Sequence, residues 1–198
     1  MSVESLIVSD RINRNGRWCY FDEWNCCICF PQKNGGNAFR KKLKTLKRWE
    51  SPKMAYHIEV FSELQKCGHG PFTPKEADIF YPNIPHYLAV RHPLDRFKSL
   101  WRNKCRDRVG HPKEIYGLSP DELMDFIERN SNSHWMSQSM YVTTKTIPVR
   151  HSVLLDRMGS EKVNKTESRD DDPEFPVDRV LRHYAADLKL WEQANSDL

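Results

Sequence analysis

Two short apolar runs, "CCICF" at 26–30 and "HYLAV" at 86–90, do most to constrain the fold. Each has the length of a buried strand, and each is followed at once by a helical pattern. After the first, Phe39, Leu43, Leu46 and Trp49 recur at helical spacing, with Arg40, Lys41, Lys42, Lys44 and Lys47 on the other faces. After the second, Leu94, Phe97, Leu100 and Trp101 form the apolar stripe. Two more helices follow. "SPDELMDFIERN" carries Ser119 as N-cap, Pro120 at the first helical position and Glu122 closing a capping box, and it ends at Asn130. The terminal "VDRVLRHYAADLKLWEQA" sets Val177, Val180, Leu181, Tyr184, Leu188 and Trp191 on one stripe. Strands alternating with helices in 198 residues predict a single α/β domain over 1–198, a three-layer sandwich with a central, mainly parallel sheet. In such a fold ligands bind at the carboxyl ends of the strands.

Six cysteines raise the question of a metal or a disulfide. "CCIC" lacks the paired spacing of a zinc knuckle, and neighbouring strand residues point to opposite faces, so buried, reduced thiols are expected and no metal. His57, Cys67 and His69 are the weaker alternative as ligands. A balance of 31 Lys and Arg against 27 Asp and Glu is mildly basic, which suits small anionic ligands and falls short of the excess typical of a nucleic-acid coat. The sequence shows no apolar run of membrane-spanning length and no secretion-signal layout, so a soluble, cytoplasmic chain without a transmembrane segment is expected.

Chemistry concentrates where the two strands hand over to helices. In "FPQKNGGNAFRKKL" a strand ending at Phe30, a loop with Lys33, Gly35 and Gly36, and a helix from about Asn37 can offer backbone N–H groups and a positive helix end to an anion. The same pattern fits a plain turn with a solvated lysine. The lysine precedes the glycines, so this is not the G-x-x-x-x-G-K-[ST] loop of ordinary ATPases. In "YLAVRHPLDRFKSLWRNK", Arg91 stands at a strand tip, and Ser99 shares a helix face with His92 and Arg96, away from the apolar stripe. Arginine and hydroxyl together can clasp one phosphate. A structural ion pair for Arg91 and a solvated Ser99 are the alternative.

The pair of motifs resembles the sulfotransferases that use 3′-phosphoadenosine 5′-phosphosulfate (PAPS), more closely the carbohydrate branch than the phenol and steroid branch. "QKNGGNAF" is similar to the family loop P-K-x-G-[GCT]-[ST], and "RHPLDRFKS" matches R-x-P-x-x-R-x-x-S at Arg91, Pro93, Arg96 and Ser99. The resemblance implies a P-loop-like nucleotide-binding fold and PAPS as sulfuryl donor without a metal. It implies a 5′-phosphosulfate loop at Lys33, Asn34, Gly35, Gly36, Asn37 and Ala38, and a 3′-phosphate site at Arg91 and Ser99. Gln32 replaces the usual proline, and Asn37 and Ala38 replace the hydroxyl residues, which removes one side-chain contact but leaves the backbone amides. "NSHWMSQS" resembles the family's H-W-x-x-Q segment, "KVNKTES" a loop near the cofactor, and Tyr184 with Asp187 its Y-x-x-D ending; His134 and Lys165 are carried over as contributors.

What the resemblance implies for chemistry is sulfuryl transfer to a hydroxyl, of a glycan or a small alcohol, with Lys33 offsetting charge on the departing phosphate oxygen. The base must take a proton near neutral pH, a task for histidine. His69 in "CGHGPF" resembles the histidine-bearing G-H-F-P stretch of related enzymes; His57, Glu59 and Glu63 are the alternatives. Two other classes remain: an ATP-dependent phosphotransferase, and a non-catalytic polyanion-binding protein using the basic helix from Asn37 to Trp49.

Overall fold

The computed structural model describes residues 18–34, 72–110, 112–132, 134–159 and 172–196. Four strands, β1 (Trp18–Phe21), β2 (Cys26–Cys29), β3 (His86–Val90) and β4 (Thr146–Arg150), form one open sheet in the order β1-β2-β3-β4. β1 is antiparallel to β2, whereas β2, β3 and β4 run parallel, so the architecture is α/β with a mostly parallel sheet. Both anticipated strands are present, β2 one residue shorter than its apolar run.

β2 is buried at all four positions because both its faces are covered. Cys26 and Ile28 face Leu154, Leu155 and Met158 of α4 (His151–Arg157) and the residue that follows it. Cys27 and Cys29 face the opposite cluster, where Ala77 of α1 (Pro74–Phe80), Tyr141 and Ala194 pack against Trp18, Leu88 and Val90. The period-two alternation thus distributes the cysteines over two faces, and Cys26 and Cys27 are free thiols. Burial pushes the thiols up, to about 11 for Cys26 and about 12 for Cys27 and Cys105. Because the thiolate is the nucleophile, iodoacetamide at pH 8 is expected to leave these three unmodified in the folded protein and to label them in urea. Peptide mapping checks this; labelling before unfolding contradicts it.

Beside the sheet, α2 (Pro93–Trp101) packs with α3 (Pro120–Arg129) through Phe97, Leu100, Leu123, Met124 and Ile127. The capping box forms as expected, Glu122 N donating to Ser119 Oγ and Ser119 N to Glu122 Oε2. The terminal segment departs from the expectation of one helix. It is two, α5 (Val177–His183) and α6 (Ala185–Ser196), broken at Tyr184. One straight stripe cannot serve two surfaces: Val180 and Tyr184 enter the cluster of α2 and α3, while Leu190, Trp191 and Ala194 pack on the sheet. Tyr184 fixes the break by donating its hydroxyl to Trp135 O at 2.6 Å. The break carries Asp187 into the interior, where it is fully buried.

Among the described residues no helix is long and apolar enough to cross a membrane, and no group of three or more His, Cys, Asp or Glu could hold a metal ion.

Candidate functional site

Parallel pairing of Cys29 with Leu88 brings the carboxyl ends of β2 and β3 to the same edge. There Asn34 N donates to Pro31 O at 3.2 Å, closing a tight turn over Pro31–Asn34. Its third residue, Lys33, has φ +67°, the left-handed region that turns of this kind require. A side chain there costs backbone energy that glycine would not, so the turn keeps lysine against local preference. Such a position is a reason to look for function.

The turn's carbonyls are held from β3 and α2. Arg91 Nη1 donates to Lys33 O at 3.1 Å, and Arg96 Nε donates to Gln32 O at 3.1 Å. Arg96 is buried, also donates to Met136 O, and lies 3.7 Å from Asp187 Oδ2. It therefore does not share an exposed face with Ser99: the phosphate-motif arginine braces the turn from below. Arg91 has no ion pair with a carboxylate among the described residues, so the structural ion-pair alternative lacks a partner there.

α2 continues into a π-helical turn, Arg102–Arg106, marked by Asp107 N donating to Arg102 O at 2.9 Å. Widening the helix by one residue re-aims the side chains that follow. Asn103 Oδ1 accepts from Lys33 Nζ, and the buried Lys104 Nζ donates to Val109 O at 2.7 Å. Arg102 and Arg106 both bind the carboxylate of Asp172, from the acidic loop preceding α5.

Positive charge predominates around Lys33. Burial, then Lys104, Arg91 and Arg96 in turn, lower the Lys33 ammonium from 10.5 to about 7. Burial lowers Arg91 as well, Arg102 and Arg96 adding to the effect against the opposing pull of Asp95. Arg96 and Arg102 face Asp187 and Asp172, but Lys33, Arg91 and Lys104 make no ion pair with a carboxylate among the described residues, which leaves positive charge to suit an anion.

Of the expected site residues, Lys33, Asn34 and Arg91 come together here. Ser99 is half-buried in α2, four residues before Asn103, and its carbonyl accepts from Arg102 N. His134 lines a crevice with Pro93, Arg96, Phe97, Leu100, Trp135 and Tyr184. Gly35, Gly36, Asn37, Ala38, the basic helix from Asn37 to Trp49, His57, Glu59, Glu63, Cys67, His69 and Lys165 lie outside the described residues. Three contributors were not singled out from sequence: Asn103, Lys104 and Gln138. Gln138 stands inside the quoted H-W-x-x-Q segment, which was the available signal, as Asp187 was named in the Y-x-x-D ending; the π-turn pair carried none.

Comparison of this chain with protein-family models, curated proteins and solved structures gives no match.

Proposed function

We propose that the chain is a sulfotransferase, moving a sulfuryl group from PAPS to a hydroxyl of a glycan or small alcohol on a P-loop-like nucleotide-binding fold. The observation that carries this reading is the cation cluster at the joined ends of β2 and β3, where Lys33 is depressed by burial and by Lys104, Arg91 and Arg96. It agrees with what the two motifs imply, a donor with anionic groups at both of its ends. The fit is electrostatic: among the described residues Lys33 Nζ is met by an amide oxygen and not by a carboxylate, so an incoming anion has no internal rival there.

In this reading Lys33, with the amides of its loop, holds the 5′ end, and Arg91 with Ser99 holds the 3′-phosphate. When bound, PAPS supplies an activated sulfuryl group whose S–O bond to phosphate breaks as a new one forms to the acceptor oxygen. Lys33 offsets the charge gathering on the departing oxygen, a use of fixed positive charge that acts without rearrangement. His69 takes the acceptor's proton.

A thermal-shift titration without added metal tests the reading with adenosine 3′,5′-bisphosphate, ADP and ATP. At a hundredfold over its Kd a ligand stabilises by about 2.7 kcal/mol, a shift of roughly 5 °C or more for a chain of this size. Only the 3′-phosphorylated nucleotide is expected to produce it. An equal shift with ATP favours the phosphotransferase, and no shift with any of the three overturns nucleotide binding altogether.

A further inference from the structure

Besides the direct bond from Arg91 Nη1 to Lys33 O, the two cation-bearing segments are joined through a residue that belongs to neither. Gln138 is fully buried in the short helical turn Gln138–Tyr141 ahead of β4. Its Oε1 accepts from Arg91 N at 2.9 Å and from Asn34 Nδ2. Its Nε2 donates to Arg91 O at 2.9 Å. A planar amide that both accepts from and donates to one residue's main chain substitutes for a neighbouring strand, here one residue past Val90, where pairing with Arg150 ends. Asn34 Nδ2 also donates to Ala89 O at 2.7 Å, tying the lysine turn to β3. Behind Gln138, Asp187 Oδ2 accepts from its backbone N at 2.8 Å and from its Nε2 at 3.2 Å.

We infer that Gln138 is a positioning residue that sets the spacing between the Lys33 turn and Arg91, and so makes the site selective for nucleotides carrying phosphate at both the 3′ and 5′ positions. The inference rests on the bisphosphate reading above. Two anchoring groups on one rigid ligand reinforce each other only when their receptors are held at the matching separation. Each single-phosphate contact survives a looser separation, but the gain from making both at once does not.

The experiment measures the affinities of adenosine 3′,5′-bisphosphate, adenosine 5′-monophosphate and adenosine 3′-monophosphate by calorimetry, in the native chain and in Gln138→Met and Gln138→Asn. Gln138→Asn keeps the amide but is one methylene too short to hold both segments at the native spacing, and keeps the test decisive if Gln138→Met does not fold. In both variants the preference for bisphosphate over each monophosphate is expected to fall at least tenfold, with monophosphate affinities changed less than threefold. A residue that merely stabilised the fold would weaken all three alike and leave the ratio intact, which overturns the inference while the bisphosphate reading stands. No preference for bisphosphate in the native chain overturns both.

Discussion

Replacing Lys33 with methionine is expected to cut transfer by a factor of about a hundred to a thousand, the usual cost of removing one preorganised charge-stabilising group, and yet to make the fold more stable. The sign follows from linkage. An unfolded lysine titrates near 10.4, whereas burial and Lys104, Arg91 and Arg96 hold Lys33 at about 7. Between those values the unfolded chain binds a proton that the folded chain does not, so native stability rises with pH through this window. Below pH 7 both states are protonated and the whole electrostatic penalty is felt. The Lys33→Met variant keeps an apolar stem and removes the charge, so at pH 6 it should gain on the order of 2 kcal/mol, shrinking by about half by pH 9. Urea unfolding of both proteins at the two pH values checks this. A variant less stable than the native chain at pH 6 would show that Lys33 is structurally satisfied and not held for an anion. The same linkage acts on binding: an anion beside Lys33 restores its proton, so affinity should fall by up to tenfold per pH unit above 7.

What was legible in the sequence was whatever depends on near neighbours. The near-continuous burial of "CCIC" and "HYLAV", the capping box of Ser119 and Glu122, and the arrival of Lys33 and Arg91 at one edge all follow from short-range period and strand ends. β4 was not legible, because Pro148 in "TIPVR" argues against a strand; it is tolerated since β4 lies at the edge of the described sheet. The left-handed residue of the turn is Lys33, a conformation that no local pattern marked. Arg96 reads by helical period as sharing the face of Ser99, yet it is buried, and a π-turn and a break at Tyr184, neither marked by any local pattern, bring Asn103 to Lys33 and Asp187 to Arg96. Long-range polar networks of this kind leave no period in a sequence.

The break at Tyr184 also makes Asp187 a residue on which much of the buried bonding converges. Its carboxylate, fully buried, accepts from Ser137 Oγ, from the backbone N–H of Gln138 and Ser139, and from Gln138 Nε2, and it faces the buried Arg96 guanidinium. Asparagine fills the same volume but offers one acceptor oxygen and an NH₂ that would point at existing donors. Asp187→Asn is therefore expected to cost roughly 3–5 kcal/mol, the range for stripping one partner from a buried charged pair. The exposed network of Arg179 with Asp125 and Glu128 makes the comparison: its contacts reach 2.6 Å, yet solvent screens it, and Arg179→Ala should cost little, within the small range of surface ion pairs. Paired urea melts decide the matter. Similar losses in the two variants would mean that Asp187 is one contact among many; a loss at least threefold larger for Asp187→Asn identifies its carboxylate as a buried centre of the bonding that includes Gln138 and Arg96.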